Sequence, residues 1–330
     1  MEPEIAVIGA LNKHTILLPG PKSFIGLPGG YALYAAAGAR LWGENVKLVS
    51  RVGENYSREW LDRFKSIGID TSGVQIHSDF TDHRFFESYS EKFERFVDQP
   101  ISRFLEKGLL FPRELFNYEP PNEAEPPANL SPKLGEIPVS CKFPDAVLIG
   151  PLDYKTQYQL VNLYQSQGIK NIGLELDPSY IFPNSLNKIY ELIDGLEVVF
   201  IQEEHLISLF KGNQITRWSM LKRIAEGKVS QVVALRSLNQ QMLYISATEE
   251  KWIIPQYDSP IVDPSGHKAA FCGAFMGSYA QGLDPIQSAI RGNVAGSICM
   301  ETTGYEQLIK ALPGLCKARA GVQSARIYKA

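Results

Sequence analysis

The sequence predicts an α/β protein in three layers, with helices on both faces of a central, mostly parallel sheet and a small β lid beside it. Two observations lead there: short β-rich apolar runs alternate with longer helical patterns, and each early pair closes in Gly or a polar turn. Such alternation implies right-handed crossovers and a sheet covered on both sides. The 330 residues, 44% hydrophobic and 21% charged, suit one large domain with a substantial core. In sheets of this kind ligands sit at the carboxyl ends of the strands.

The elements follow in order. EIAVIGAL reads as a strand, YALYAAAGARLW as a helix of small residues, NVKLVSRVG as a second strand and SREWLDRFKSIG as an amphipathic helix. The rhythm then returns. DAVLIG precedes the helix KTQYQLVNLYQSQG, NIGLELD precedes SLNKIYELID, EVVFIQ precedes EEHLISLF, and QVVALRS leads into QMLYIS. Between the two halves lies an insertion, about residues 98–144, whose later part carries Pro120, Pro121, Pro126, Pro127, Pro132 and Pro138. Proline at that density excludes regular helix and central strand. Tyr118 to Pro138 is therefore expected to be exposed, and its removal to leave the melting temperature nearly unchanged.

Composition narrows the function classes. Lys plus Arg number 33 against 36 Asp plus Glu, a formal charge of −3, so no global basic field exists to hold nucleic acid or an anionic membrane. Nowhere are there the roughly 18 consecutive apolar residues of a membrane span, and a cytoplasmic protein is expected. Cys141, Cys272, Cys299 and Cys316 form no CxxC pair, which predicts buried free thiols rather than disulfides or a zinc site. No metal site is read from the residues.

Four stretches, in order, resemble the PfkB carbohydrate kinase (ribokinase-like) family, whose members phosphorylate sugars, nucleosides and related alcohols with ATP. They are Gly29-Gly30 with the helix, Leu41-Trp42-Gly43 and NVKLVSRVGENYSREWLDRFKSIGID after it; TDHRFF; EVVFIQEEH; and DPSGHKAAFCGAF with the helix and tail that follow. The resemblance implies a ribokinase-like fold with lid elements at about 10–30 and 77–97, and it allows a homodimer through the lid. Gly29 and Gly30 permit close backbone approach to a ligand and a tight helix entry. Where the family holds substrate hydroxyls with Asp and Asn, this chain has His14, read as lying on a turn, and Tyr34, read as projecting its ring into the pocket. A histidine cannot reproduce a carboxylate's two-acceptor grip; an aromatic face suits a base or another planar ligand. Arg84, in TDHRFF, is assigned to the same substrate cleft.

In active relatives the phosphate turn reads Asp-Thr-x-Gly-Ala-Gly-Asp. Its amides receive the transferred phosphoryl group at a helix N-terminus, and its last Asp is the general base. Here Asp263 and Gly266 remain, Ser265 can stand for a Thr, and the rest become His267, Lys268 and Ala269. Ala269 cannot take a proton, a loss worth about 10²- to 10⁴-fold, and Lys268 brings a side chain where the turn calls for glycine, which predicts a distorted cradle. The family's Asn-x-x-Glu stretch, which orders magnesium through water, reads Gln202-Glu203-Glu204-His205, with a poor magnesium ligand at the aligned acid. Arg236 stands where a nucleotide-admitting Gly is expected. The reading these substitutions favour is a ribokinase-like protein that has lost ATP-dependent phosphotransfer and binds a small molecule or a protein partner, with no cofactor. The alternative is an active, divergent ATP- and magnesium-dependent carbohydrate or nucleoside kinase in which His267 supplies the base and Lys268 a charge. New chemistry such as hydrolysis has no support in the residues.

Overall fold

The structure is a computed structural model that describes residues 3–43, 45–121, 130–235, 238 and 240–330. Its first half runs β1 (Glu4–Ile8), β2 (Asn12–Leu18), β3 (Lys22–Gly29), α1 (Tyr31–Arg40), β4 (Asn45–Gly53), α2 (Arg58–Ser66), β5 (Ile69–His77), β6 (Arg84–Tyr89), β7 (Arg95–Phe96) and α3 (Pro100–Glu106). The second half runs β8 (Ala146–Ile149), α4 (Tyr154–Ser166), β9 (Asn171–Glu175), α5 (Leu186–Ile193), β10 (Val198–Gln202), α6 (Glu203–Leu209), α7 (Arg217–Ala225), β11 (Gln231–Leu235), β12 (Gln240–Ile245) and β13 (Glu250–Pro255). The chain closes with α8 (His267–Ala280), α9 (Pro285–Met300), α10 (Glu306–Lys310), α11 (Pro313–Ser324) and β14 (Tyr328–Lys329).

The main sheet has the order β14-β13-β12-β11-β10-β9-β8-β1-β4-β5. From β5 to β11 every neighbouring pair is parallel, and β11 to β14 are antiparallel. Alternation along each strand divides the core between two faces. Ile5 and Val7 of β1 join α1, α8 and α9 on one side; Ala6 and Ile8 join residues of α4 to α7 on the other. The three expected layers are present, and all four cysteines are free and buried. No helix among the described residues is long and apolar enough to cross a membrane.

A second sheet, β3-β2-β6-β7, is built from the segments expected to supply the lid. Its strands pair so that His14 lies opposite Phe85 and Ile16 opposite Glu87. His14, Glu87 and Tyr89 consequently share one face, while Leu17 and Phe86 share the other. His14 is thus a buried strand residue, 6% exposed, and not the turn residue expected.

The insertion departs from expectation. Leu17 and Phe86 form a cluster with Phe104, Leu115 and Tyr118, so the insertion covers the outer lid face. Tyr118 Oη accepts the Phe86 amide at 3.1 Å. Leu130 and Ile137 are buried as well, and Ser131 Oγ donates to Asp153 Oδ2 at 2.9 Å. Among its described residues the proline-rich part holds no α-helix or strand and has a 3₁₀ turn at Leu134–Glu136, but proline did not bar burial: aromatic and aliphatic side chains among the prolines found apolar surface, each worth about 1.5–3 kcal/mol when fully covered. Pro126 and Pro127 lie outside the described residues.

Candidate active site

Gly29 and Gly30 join the lid to α1. Gly30 has φ of 101°, and a Cβ there would stand 2.5 Å from the Ala10 carbonyl oxygen. A Cβ at Gly29 would stand 2.7 Å from His14 Nδ1. The pair therefore lets the chain turn tightly against β1's exit while keeping His14 in place. From this entry α1 carries Tyr34, 2% exposed, to the underside of the 263–269 turn. A Cβ at Gly266 would meet the Tyr34 ring at 2.3 Å. Tyr34 accordingly props the turn and is not an open stacking surface, contrary to the expectation for it.

The turn itself is well formed. Asp263 Oδ1 accepts the Ser265 amide at 2.8 Å, an Asx turn that sets the approach to α8. Gly266 carries the positive φ, 73°, as N-cap of a 14-residue helix, and no side chain caps it. His267, Lys268 and Ala269 occupy the first helical turn with ordinary right-handed backbone. The distortion expected from Lys268 does not occur, because the glycine conformation is required at 266 and not at 268. First-turn amides have no carbonyl four residues back within the helix, so they remain an anion-binding end. Burial, partly offset by the Ser265 and Thr303 hydroxyls, pushes Asp263 up to about 7.

His267 stands at the first helical position, 7% exposed. Its Nδ1 is hydrogen-bonded to the Pro264 carbonyl, which can only accept, so Nδ1 carries the proton. Nε2 therefore presents a lone pair. It is buried without a hydrogen-bond partner among the described residues. Burial, then the neighbouring Lys268 charge, lowers the imidazole to about 4, with Glu87 and Glu204 pulling the other way. Ala269, buried behind it, offers no acceptor.

Lys268 reaches toward the end of β10. Its Nζ donates to Gln202 Oε1 at 2.8 Å and to Glu204 Oε1 at 3.2 Å. Gln202 Nε2 in turn donates to Glu175 Oε1 at 2.9 Å, and Cys272 Sγ lies 3.6 Å from Glu175 Oε2. Burial raises Glu175, against Gln202 and Lys268; burial also opposes the ionised form of Glu204, yet Lys268 holds it below the usual range. Glu203 pairs with Arg217. Glu175 escaped the sequence reading, although a carboxylate closing the apolar run NIGLE at a strand's carboxyl end was the available signal.

These contacts test the magnesium that the family resemblance implies. The Gln202 and Glu204 oxygens already face an ammonium, Glu203 faces a guanidinium and His205 is a nitrogen ligand. No group of three or more His, Cys, Asp or Glu side chains is placed to hold a metal among the described residues. The oxygens of this stretch thus face the protein's own cations rather than an open position for a directly ligated divalent ion.

On the inner face of the small sheet Glu87 gathers three side chains. His14 Nε2 lies 3.4 Å from Glu87 Oε1, Arg95 Nε 2.7 Å from Glu87 Oε2, and Tyr89 Oη donates to Glu87 Oε2 at 3.0 Å. Burial would raise Glu87, but His14 and Arg95 hold it below the usual carboxylate range. Its charge reaches Asp263, Tyr34 and His267, so lid and turn face each other. Glu87 also escaped the sequence reading. Arg84 does not join them: it bonds Asp82 and the carbonyls of Glu114, Phe116 and Asn117, fastening the insertion to the lid. Beside the turn, a cavity of about 560 Å³ is lined by Leu238, Gln240, Gln256, Tyr257, Asp258 and Met300. Arg236 lies outside the described residues.

No family model matches the chain. It is 26% identical over 293 residues to a cytidine kinase of Thermococcus kodakarensis, covering 87% of this chain and 92% of that protein. Its fold matches a Burkholderia thailandensis nucleoside kinase solved with inosine, at a TM-score of 0.70 and 14% identity over 97% of both chains. It also matches an Arabidopsis thaliana ribokinase solved with ribose and ATP, at 0.66 and 13% identity over 94% of this chain and all of that one. The expectation of a binding protein without phosphotransfer is overturned by these likenesses, which run to kinases along nearly the whole chain.

Proposed function

We propose that this chain is a divergent ATP-dependent kinase of the PfkB carbohydrate kinase (ribokinase-like) type, transferring phosphate to a hydroxyl of a nucleoside. The observation that carries this reading is His267: a neutral imidazole whose buried Nε2 has no hydrogen-bond partner among the described residues, on the first turn of an anion-binding helix end. The α8 amides receive the γ-phosphoryl group. His267 Nε2 takes the proton of the accepting hydroxyl as that oxygen bonds phosphorus, and the bond from phosphorus to the β,γ-bridging oxygen breaks to release ADP. Glu87 supplies the carboxylate that His14 alone could not, and holds substrate hydroxyls under the lid. The ATP base occupies the cavity beside Tyr257 and Met300. A nucleoside is favoured over a free sugar by the likeness to a cytidine kinase and by the nucleoside kinase fold match. Four buried thiols and the use of ATP suit the cytoplasm.

The test is steady-state phosphorylation of cytidine, inosine and other nucleosides, with ribose and fructose for contrast, using ATP with and without Mg²⁺. Turnover of a nucleoside is expected, and His267→Ala should lower kcat/KM by roughly 10²- to 10³-fold with its melting curve still cooperative. The acid limb of kcat/KM should fall near pH 4, where His267 takes a proton, and not at the ordinary histidine value of 6.5. Absence of turnover on every nucleoside, or a His267→Ala enzyme as fast as wild type, would overturn the reading.

A further inference from the structure

We infer that the Lys268 ammonium is the resident cation of the phosphate turn, tethered where a metalloenzyme would place a divalent ion, and that it binds the polyphosphate of ATP without a protein-held metal. Three observations converge. Lys268 lies in the first turn of α8, so its ammonium and the anion-receiving amides belong to the same turn. Its Nζ is gripped by two convergent oxygens, Gln202 Oε1 at 2.8 Å and Glu204 Oε1 at 3.2 Å, an arrangement that oxygen ligands give a cation. Its side chain is 16% exposed while that of Glu204 is 56% exposed, so the head group is held at the cleft and its anionic partner can be released to solvent.

The behaviour follows from charge. Without nucleotide, Glu204 neutralises Lys268, and Gln202, fixed through Glu175, holds the head group in place. A triphosphate arriving at the α8 amides brings more negative charge than Glu204 offers, in a partly desolvated cleft where Coulomb interactions are stronger than in water. Nζ has three donors; it can keep Gln202 and exchange Glu204 for phosphate oxygen. A metal added at the same oxygens would have to displace the ammonium first. This inference rests on the kinase reading but concerns the cation alone.

Calorimetric titration of ATP into the intact protein, in EDTA and in millimolar Mg²⁺, separates the two. Wild type is expected to bind ATP in EDTA within about threefold of its affinity in Mg²⁺, and Mg²⁺ alone to give no heat. Lys268→Met should weaken ATP binding in EDTA by about tenfold or more, the loss of a charged hydrogen bond, and Lys268→Arg should restore most of it; melting curves in the absence of nucleotide confirm that both variants fold. ATP binding that needs Mg²⁺ and is indifferent to Lys268→Met overturns the inference and leaves the kinase reading standing. No ATP binding under either condition overturns both.

Discussion

The 263–269 turn and the inner face of the small sheet, which face each other, are built on opposite principles. The turn works through backbone: the Asx turn at Asp263, the positive φ of Gly266 and the free first-turn amides of α8. His267, Lys268 and Ala269 change its chemistry without changing its shape. The inner lid face works through side chains, with Glu87 held among His14, Tyr89 and Arg95. A motif written in side chains is thus a poor guide to a site made of amides, and a better one to a site made of carboxylates. The inference of lost activity failed because it read the first kind of site as if it were the second.

The lid half of this comparison carries the largest expected effect. Glu87→Ala removes the carboxylate that His14, Tyr89 and Arg95 share and leaves a buried polar cluster without its anion, a class of change that costs about 3–5 kcal/mol. Urea unfolding should show that loss at pH 7, whereas Glu87→Gln, which keeps a hydrogen-bond acceptor, should recover part of it. A Glu87→Ala protein as stable as wild type would mean that the cluster is solvated, and the contrast with the turn would collapse.

The turn half is sharpened by Asp263→Asn. Asparagine keeps an oxygen for the Ser265 amide, so the backbone shape should persist. The carboxyl's pKa rises from 3.8 to about 7 on folding, so its contribution to stability is fully present below pH 3.8 and is lost as pH rises through about 7. Wild type should therefore lose roughly 2–4 kcal/mol through this group between pH 4 and pH 8, and the variant should not. His267 opposes it, because its depressed pKa removes stability as pH falls from 6.5 toward 4. The difference between variant and wild-type unfolding curves, taken at each pH, isolates Asp263; a flat difference would show that the carboxyl is hydrated.

What the sequence made legible follows the same division. The strands EIAVI, AVLI and VVFIQ and the helix of small residues that became α1 were readable because local period and turn residues agree with the tertiary role. Gly29, Gly30, Asp263 and Gly266 were readable as turn formers. Glu87 and Glu175 were not, since a carboxylate in a short strand looks like an exposed residue until partners from distant segments surround it. Arg84 was assigned to the cleft through the lid-like TDHRFF stretch, but the pleat turns it to the outer lid face, where its cation lies 5.4 Å from the centre of the Tyr118 ring.

The smallest effect concerns that outer face, which the prolines made look empty. Tyr118 is 8% exposed and its hydroxyl accepts the backbone N–H of Phe86 from β6. Tyr118→Phe keeps the ring against Phe104 and Leu17 and removes only the acceptor, leaving a buried amide unpaired at a cost of about 1–2 kcal/mol. The loss should appear in urea midpoints with an unchanged m-value, and hydrogen exchange should quicken at Phe86 before it quickens in the main sheet. Equal stability of the two proteins, with Phe86 still protected, would show that this hydrogen bond does not hold the insertion and leave that task to Arg84 and the apolar cluster.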